Sequence, residues 1–286
     1  MGVLPAYTIH EYRPDIYKVV AFKRRNEPSV QRLRRNDQRE NDTKLDNNFS
    51  RARSMVLQYA LCNPWEYFFT GTIDRAKLSR YDLDTYSSRL MQWIRDKRKA
   101  YNAKFQVLLV PERHKDGAWH IHGLVHGLPD HVLQPFEPPA PVKLIRGGFL
   151  NWPDYMDKFG FCSLAPIRDP VATAFYITKY VSKDLSRRAG DKGKHLYFHS
   201  RPLKKAVKAS EVYEYQWALD KLCVNDYLFC KTGMVTGEDF SFPYRWDDGE
   251  AWNPSAGRWS DPLENFRPWT IDPFCDQPTL FDEVIL

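Results

Sequence analysis

Pro111-Glu112-Arg113-His114-Lys115-Asp116-Gly117-Ala118-Trp119-His120-Ile121-His122 and, about fifty residues later, Phe175-Tyr176-Ile177-Thr178-Lys179-Tyr180-Val181-Ser182-Lys183 are the stretches around which this chain is organised. In the first, His120 and His122 flank a single apolar residue. Side chains alternate sides along a strand, so both imidazoles project from one face and can grip one cation. In the second, Tyr176 and Tyr180 stand four apart, and each is followed three residues later by a lysine, Lys179 or Lys183. On a helix that spacing gathers both phenols and both ammonium groups on one side. Taken singly, the histidines also read as a strand packing pair and the tyrosines as a packing stripe. Taken together, behind the acidic Glu112, they are what a metal-assisted tyrosine nuclease needs. A phosphodiester carries negative charge, which a cation must offset before a phenolate can attack it.

The flanking residues predict an α+β fold with a central antiparallel sheet of about five strands and flanking helices. Phe105–Val110 reads as a core strand, Trp119–Val125 as its partner, and Asp116-Gly117 as the hairpin turn between them. Glu112 then lies near His120 across the hairpin as a third ligand, with His114 as its rival. A hard cation such as Mg²⁺ or Mn²⁺ prefers the carboxylate. Tyr67–Ile73, aromatic and β-branched, suits a buried strand, and a helix from Asn48 should stop at Asn63-Pro64. Behind an Asp82 or Asp84 cap, Leu83, Tyr86, Leu90, Trp93, Ile94 and Tyr101 recur at helical steps. Asp169-Pro170 is a cap-then-proline start for the helix of Tyr176 and Tyr180, whose buried side is expected to be Ala172, Phe175, Ile177 and Val181. Between these lies a Pro- and Gly-rich connection, 127–170, with Trp152, Tyr155, Phe159 and Phe161 interleaved, which reads as a short helix near Trp152–Phe159 and a strand at Gly160–Leu164 and offers part of a DNA groove.

These segments resemble the three motifs of the HUH replication-initiator endonucleases, which nick DNA for rolling-circle replication in single-stranded DNA phages, plasmids and circular single-stranded DNA viruses. Phe68-Phe69-Thr70-Gly71-Thr72 is similar to their first motif, a strand usually written Phe-x-Thr-Leu-Thr, with Gly71 in place of leucine. His120-Ile121-His122 matches the second and the double Tyr-x-x-Lys of Tyr176–Lys183 the third. The run from Glu112 also resembles the geminivirus initiators, whose third metal ligand is that glutamate. The paired tyrosines resemble instead the microvirus and phage branch, where both attack DNA. The resemblance covers roughly residues 46 to 215 and implies a ferredoxin- or RRM-like sheet with Mg²⁺ or Mn²⁺ on His120, His122 and Glu112. It further implies attack on single-stranded or hairpin origin DNA by Tyr180 or Tyr176, assisted by Lys179 and Lys183. Tyr180 begins Tyr-Val-Ser-Lys-Asp, which resembles the geminivirus nucleophile motif. The products implied are a 5′-phosphotyrosyl link and a free 3′-hydroxyl, followed by rejoining. A transposase or relaxase of the superfamily shares the motif set. A non-catalytic single-stranded nucleic-acid-binding protein, with structural histidines and base-stacking tyrosines, is the alternative from another class; it has no need of Tyr-x-x-Lys twice.

Charge and composition agree with a nucleic-acid partner. Residues 1–60 hold twelve Lys or Arg against seven Asp or Glu, residues 237–286 hold three against eleven, and the middle carries the remaining excess of cations. A basic body attracts phosphates and an acidic tail avoids them. Residues 1–45 read as a basic arm, 46–235 as the nicking domain, and 236–286 as an acidic tail with six prolines and four tryptophans. Arg187, Arg188, Lys192, Lys194, Arg201, Lys204 and Lys205, with Tyr197 and Phe198 among them, have the composition of a single-strand track, since bases stack while backbone phosphates pair. In the tail, Gln277-Pro278-Thr279-Leu280-Phe281 resembles the peptide by which bacterial replication proteins dock on the sliding clamp, with Gln277, Leu280 and Phe281 as its anchors. Such docking would hand the nicked end to a host helicase and polymerase, because no P-loop motor motif occurs in the chain. No apolar run approaches a membrane span and the first residues carry no secretory signal, so a location in the bacterial host cytoplasm, away from membranes, is expected. The five cysteines form no Cys-x-x-Cys pair and read as reduced.

Overall fold

The computed structural model describes residues 5–23, 40–182, 195–213, 217–223, 225–226, 230–236, 244–245, 250–253 and 258–260. It begins with a hairpin of β1 (Tyr7–Arg13) and β2 (Ile16–Phe22), then a helix, α1 (Glu40–Cys62). Strand β3 (Tyr67–Thr72) and helix α2 (Leu83–Ala100) precede the long hairpin β4 (Gln106–Arg113) and β5 (Trp119–His126). The Pro-rich connection holds β6 (Gln134–Pro135), α3 (Val142–Arg146), β7 (Leu150–Asn151) and α4 (Pro153–Lys158). After it come β8 (Cys162–Pro166), the tyrosine helix α5 (Pro170–Ser182) and β9 (Phe198–His199). Later elements are β10 (Val207–Val212), α6 (Trp217–Lys221), β11 (Asn225–Asp226) and β12 (Cys230–Thr236), followed by a three-stranded antiparallel sheet of Tyr244–Arg245, Glu250–Asn253 and Arg258–Ser260. Among the described residues no helix is long and apolar enough to cross a membrane.

The chain divides into two compact units, one drawn from Met1–Thr43 and Lys205–Ile271, the other from Lys44–Lys204. In the first, the strands run β10-β1-β2-β12-β11, all antiparallel, with Tyr7, Val19, Ala21 and Val235 packed on Leu219, Leu222 and Cys223. Residues 7–13 and 16–22, read above as part of an arm, are therefore strands, and the described residues of β10, α6, β11 and β12 group with them. β1 and β2 pair with each other locally, but the strands on their outer sides lie far along the chain, as in His10 opposite Lys208 and Lys18 opposite Met234.

The second unit carries the α+β fold expected of the body. Its antiparallel sheet runs β6-β7-β8-β3-β5-β4-β9, of which β8, β3, β5 and β4 are full strands and the rest two-residue extensions. Alternation gives the sheet two different faces. Phe69, Val107, Leu109, Ile121, Val125, Cys162 and Leu164 form one, buried against Tyr86, Leu90, Trp93 and Ile94 of α2 and against Trp152, Tyr155 and Phe159. Helix α2 starts at the Asp82 cap, whose carboxylate accepts from the Thr85 N–H at 3.0 Å. Trp152, Tyr155 and Phe159, expected in a DNA groove, are 2%, 0% and 1% exposed and belong to this core. Phe161 alone of that aromatic set stays open.

The departure at Gly71 has a packing cause. A Cβ on Gly71 would stand 2.5 Å from Tyr155 Oη and 2.7 Å from the Phe69 ring. The fully buried Tyr155, hydrogen-bonded to Tyr86, fills the space that a leucine would take. Gly71→Leu is thus expected to destabilise the protein by about 1–3 kcal/mol through overpacking. Denaturant unfolding checks this, and an unchanged midpoint would show that the space is open after all.

Candidate functional site

The opposite face of the sheet gathers the chemistry. In β5, His120 lies opposite Glu112 of β4 and Thr72 of β3, while His122 lies opposite Val110 and Thr70. The hairpin closes where the Gly117 N–H donates to His114 O at 2.9 Å, with Gly117 at φ +87°, a backbone state that glycine adopts without steric cost. Asp116 fixes the same turn by accepting from the Ala118 N–H at 3.0 Å.

His122 is fully buried, and its Nε2 lies 2.6 Å from the Glu112 carboxylate, itself 5% exposed. Thr70 Oγ1 is 3.4 Å from its Nδ1, so the strand of the first motif orients the ring from the other side. That role for Thr70 was not assigned from sequence, although the spacing of Phe68, Thr70 and Thr72 carries the signal. His120 stands differently. Its ring stacks on His114 at 4.0 Å, and its buried Nδ1 makes no hydrogen bond among the described residues. Burial, with His114 and His122 adding to it, lowers its pKa to about 4. His114, the rival ligand, therefore meets a ring face, whereas Glu112 meets an imidazole nitrogen.

The protonation of His120 sets a pH dependence. In the unfolded chain it titrates near its ordinary value of about 6.5. Between there and about 4 the unfolded state holds the extra proton, so stability is full above that window and is lost as pH falls through it. Relative to His120→Gln, the metal-free wild type should lose roughly 1–3 kcal/mol between pH 7 and pH 4. Paired urea titrations at the two pH values measure it, and a constant difference would contradict it.

Helix α5 packs on this face, across β4 and β5. It begins as expected: Asp169 Oδ1 accepts from the Val171 and Ala172 N–H groups, both at 2.9 Å, and Pro170 takes the first turn. Its buried residues, however, are Thr173, Ala174, Tyr176, Ile177, Thr178, Tyr180 and Val181, while Ala172 is exposed and Phe175 half-buried. The two phenols thus point into the sheet rather than away from it. Tyr180, 2% exposed, lies face to face on His122 with ring centres 3.8 Å apart, and its hydroxyl donates to the Tyr176 hydroxyl at 2.5 Å. Phe68 packs against both phenol rings, at 5.4 Å from Tyr176 and 6.4 Å from Tyr180. Lys179 Nζ sits 5.3 Å from the centre of the Tyr176 ring.

Glu112, His122, Tyr180, Tyr176 and Lys179 are thus brought together, and His120 borders them. Among the described residues no three His, Cys, Asp or Glu side chains converge as a preformed metal cage. In type, the Glu112 carboxylate is an oxygen donor of the kind hard divalent cations take, whereas imidazoles are more usual on transition metals, and His120 is neutral at pH 7 with no hydrogen bond at Nδ1 among the described residues. Arg201 and Lys204 are exposed but stand apart: the neighbouring Ser200 N–H donates to Val107 O at 3.0 Å, placing them toward the start of β4, about 17 Å of strand from Glu112. Lys205, also exposed, falls in the first unit. Lys183, Arg187, Arg188, Lys192 and Lys194, and the tail residues Gln277, Leu280 and Phe281, lie outside the described residues.

No curated protein and no solved structure matches the chain. Residues 66–185, however, match the family described as Replication-associated protein ORF2/G2P. That span runs from the strand of Phe68 and Thr70, through the histidine hairpin, to the end of the tyrosine helix. The sheet that displays His120 and His122 and the helix that lays Tyr176 and Tyr180 on it are the part of the chain that is similar to the ORF2/G2P family of replication-associated proteins.

Proposed function

We propose that this protein is a replication initiator that nicks single-stranded origin DNA by tyrosine attack and later rejoins strands. The observation that carries the reading is the stacking of Tyr180 on His122, whose Nε2 contacts Glu112, so that phenol, imidazole and carboxylate share one buried cluster. A family match to replication-associated proteins supports it from outside the geometry. His120, His122 and Glu112 would hold a divalent cation, Mg²⁺ or Mn²⁺. When bound, such an ion polarises the scissile phosphate.

The chain's own residues do the rest. A tyrosine Oη forms a bond to phosphorus as the P–O3′ bond breaks, and the 3′ oxygen takes a proton to leave as a hydroxyl. The phenol's proton passes to solvent. Because Tyr180 donates to Tyr176, its hydroxyl is positioned to stabilise a Tyr176 phenolate as it forms, and Lys179 beside the Tyr176 ring favours negative charge there. Two adjacent nucleophiles also suit an initiator that must cut, hold one end and rejoin. Incubating the protein with a panel of single-stranded and hairpin oligonucleotides and Mg²⁺ tests the reading. It requires a product whose new 3′ end a polymerase extends; cleavage that leaves only 3′-phosphate ends would discard it.

A further inference from the structure

The row of backbone partners that links Glu112, His120 and Thr72 continues one strand further. The Thr72 N–H and hydroxyl both donate to the carbonyl of Phe161, at 2.8 and 3.1 Å, one step beyond the Gly71–Cys162 pair of β3 and β8. By alternation with Cys162, which faces the α2 core, Phe161 projects from the face that bears the histidines. At about 4.8 Å per strand it stands about 10 Å from His120, the reach of a neighbouring nucleotide rather than of the scissile phosphate itself.

Phe161 is 43% exposed in a connection whose other aromatics are buried, or half-buried at Phe149. It is nevertheless held in place. Phe136, only 9% exposed, supports its ring at 5.9 Å. The preceding Gly160 has φ +137°, and a Cβ there would come within 2.5 Å of the Asp74 backbone nitrogen, so the turn that delivers Phe161 admits glycine alone. An apolar ring kept partly in water, yet fixed by its backbone and by a second aromatic, is what a flat apolar ligand stacks on.

We infer that Phe161 is a stacking platform for a base of the single-stranded DNA next to the cleavage site; this rests on the nuclease reading above. Stacking of this kind tolerates any base, so Phe161 contributes affinity and register rather than sequence choice. The test uses the full chain in a Tyr176→Phe, Tyr180→Phe background, which leaves the DNA intact, and single-stranded oligonucleotides carrying 2-aminopurine at successive positions. The fluorescence of one or two adjacent positions should be quenched with Phe161 present and recover with Phe161→Ala. Anisotropy should show Phe161→Ala weakening binding about tenfold, with Phe161→Tyr restoring it. Phe161→Ala binding within twofold, with unchanged quenching at every position, overturns the inference. If wild type still forms its DNA adduct in that case, the nuclease reading survives alone; if wild type binds no single-stranded DNA, both fall.

Discussion

Replacing Tyr176 and Tyr180 together by phenylalanine is expected to abolish covalent capture of origin DNA, a loss of at least about a thousandfold, while the protein stays folded. The expectation of folding comes from the packing. Both rings keep their contacts with Phe68 and with each other when only the hydroxyls are removed. Losing the hydrogen bond between the hydroxyls costs roughly 1 kcal/mol. Each single variant should retain part of the activity, because the remaining phenol occupies the same buried cluster. Adduct bands on a denaturing gel, read beside thermal melts, separate chemistry from folding. Equal adduct yield in the double variant would remove both residues from the mechanism.

The second large effect is expected at His122 and Glu112. His122→Ala and Glu112→Gln should each lower nicking by about a hundredfold or more and weaken Mn²⁺ binding followed by paramagnetic resonance. The two variants differ in a useful way. Glu112→Gln keeps a hydrogen-bonding group against His122 Nε2 and loses only the charge, so its stability should stay near wild type. His122→Ala leaves the 5%-exposed Glu112 without that partner and also removes the ring under Tyr180, so a further loss of about 1–3 kcal/mol is expected. Unchanged Mn²⁺ affinity in both variants would place the cation elsewhere.

The histidine hairpin was legible because everything that forms it is local. Asp116-Gly117 makes the turn, the apolar runs pair on either side, and alternation puts His120, His122 and Glu112 on one face. The start of the tyrosine helix was legible for the same reason, through Asp169 and Pro170. Its orientation was not. Phenols so close to cations read as a polar side, but Tyr176 and Tyr180 spread apolar rings over Phe68 and His122 and bury with Ile177 and Val181. Spacing alone does not separate those readings. The place of the amino-terminal hairpin was hidden by distance, since β1 and β2 pair locally with each other but find their outer partners, β10 and β12, about two hundred residues later. Phe161 could not be told from Phe159 by composition; only the register with Thr72 and the turn at Gly160 send one ring outward and the other into the core.

The central claim is that a phenolic oxygen of α5 becomes bonded to DNA phosphate. Peptide mapping by mass spectrometry, after reaction with a cleavable single-stranded oligonucleotide and nuclease trimming, tests it most directly. A 5′-phosphonucleotide on Tyr176 or Tyr180, within the peptide that spans Pro170–Ser182, is the result expected. Cleaved DNA with no nucleotide on the protein, or a nucleotide on any other residue, would contradict it.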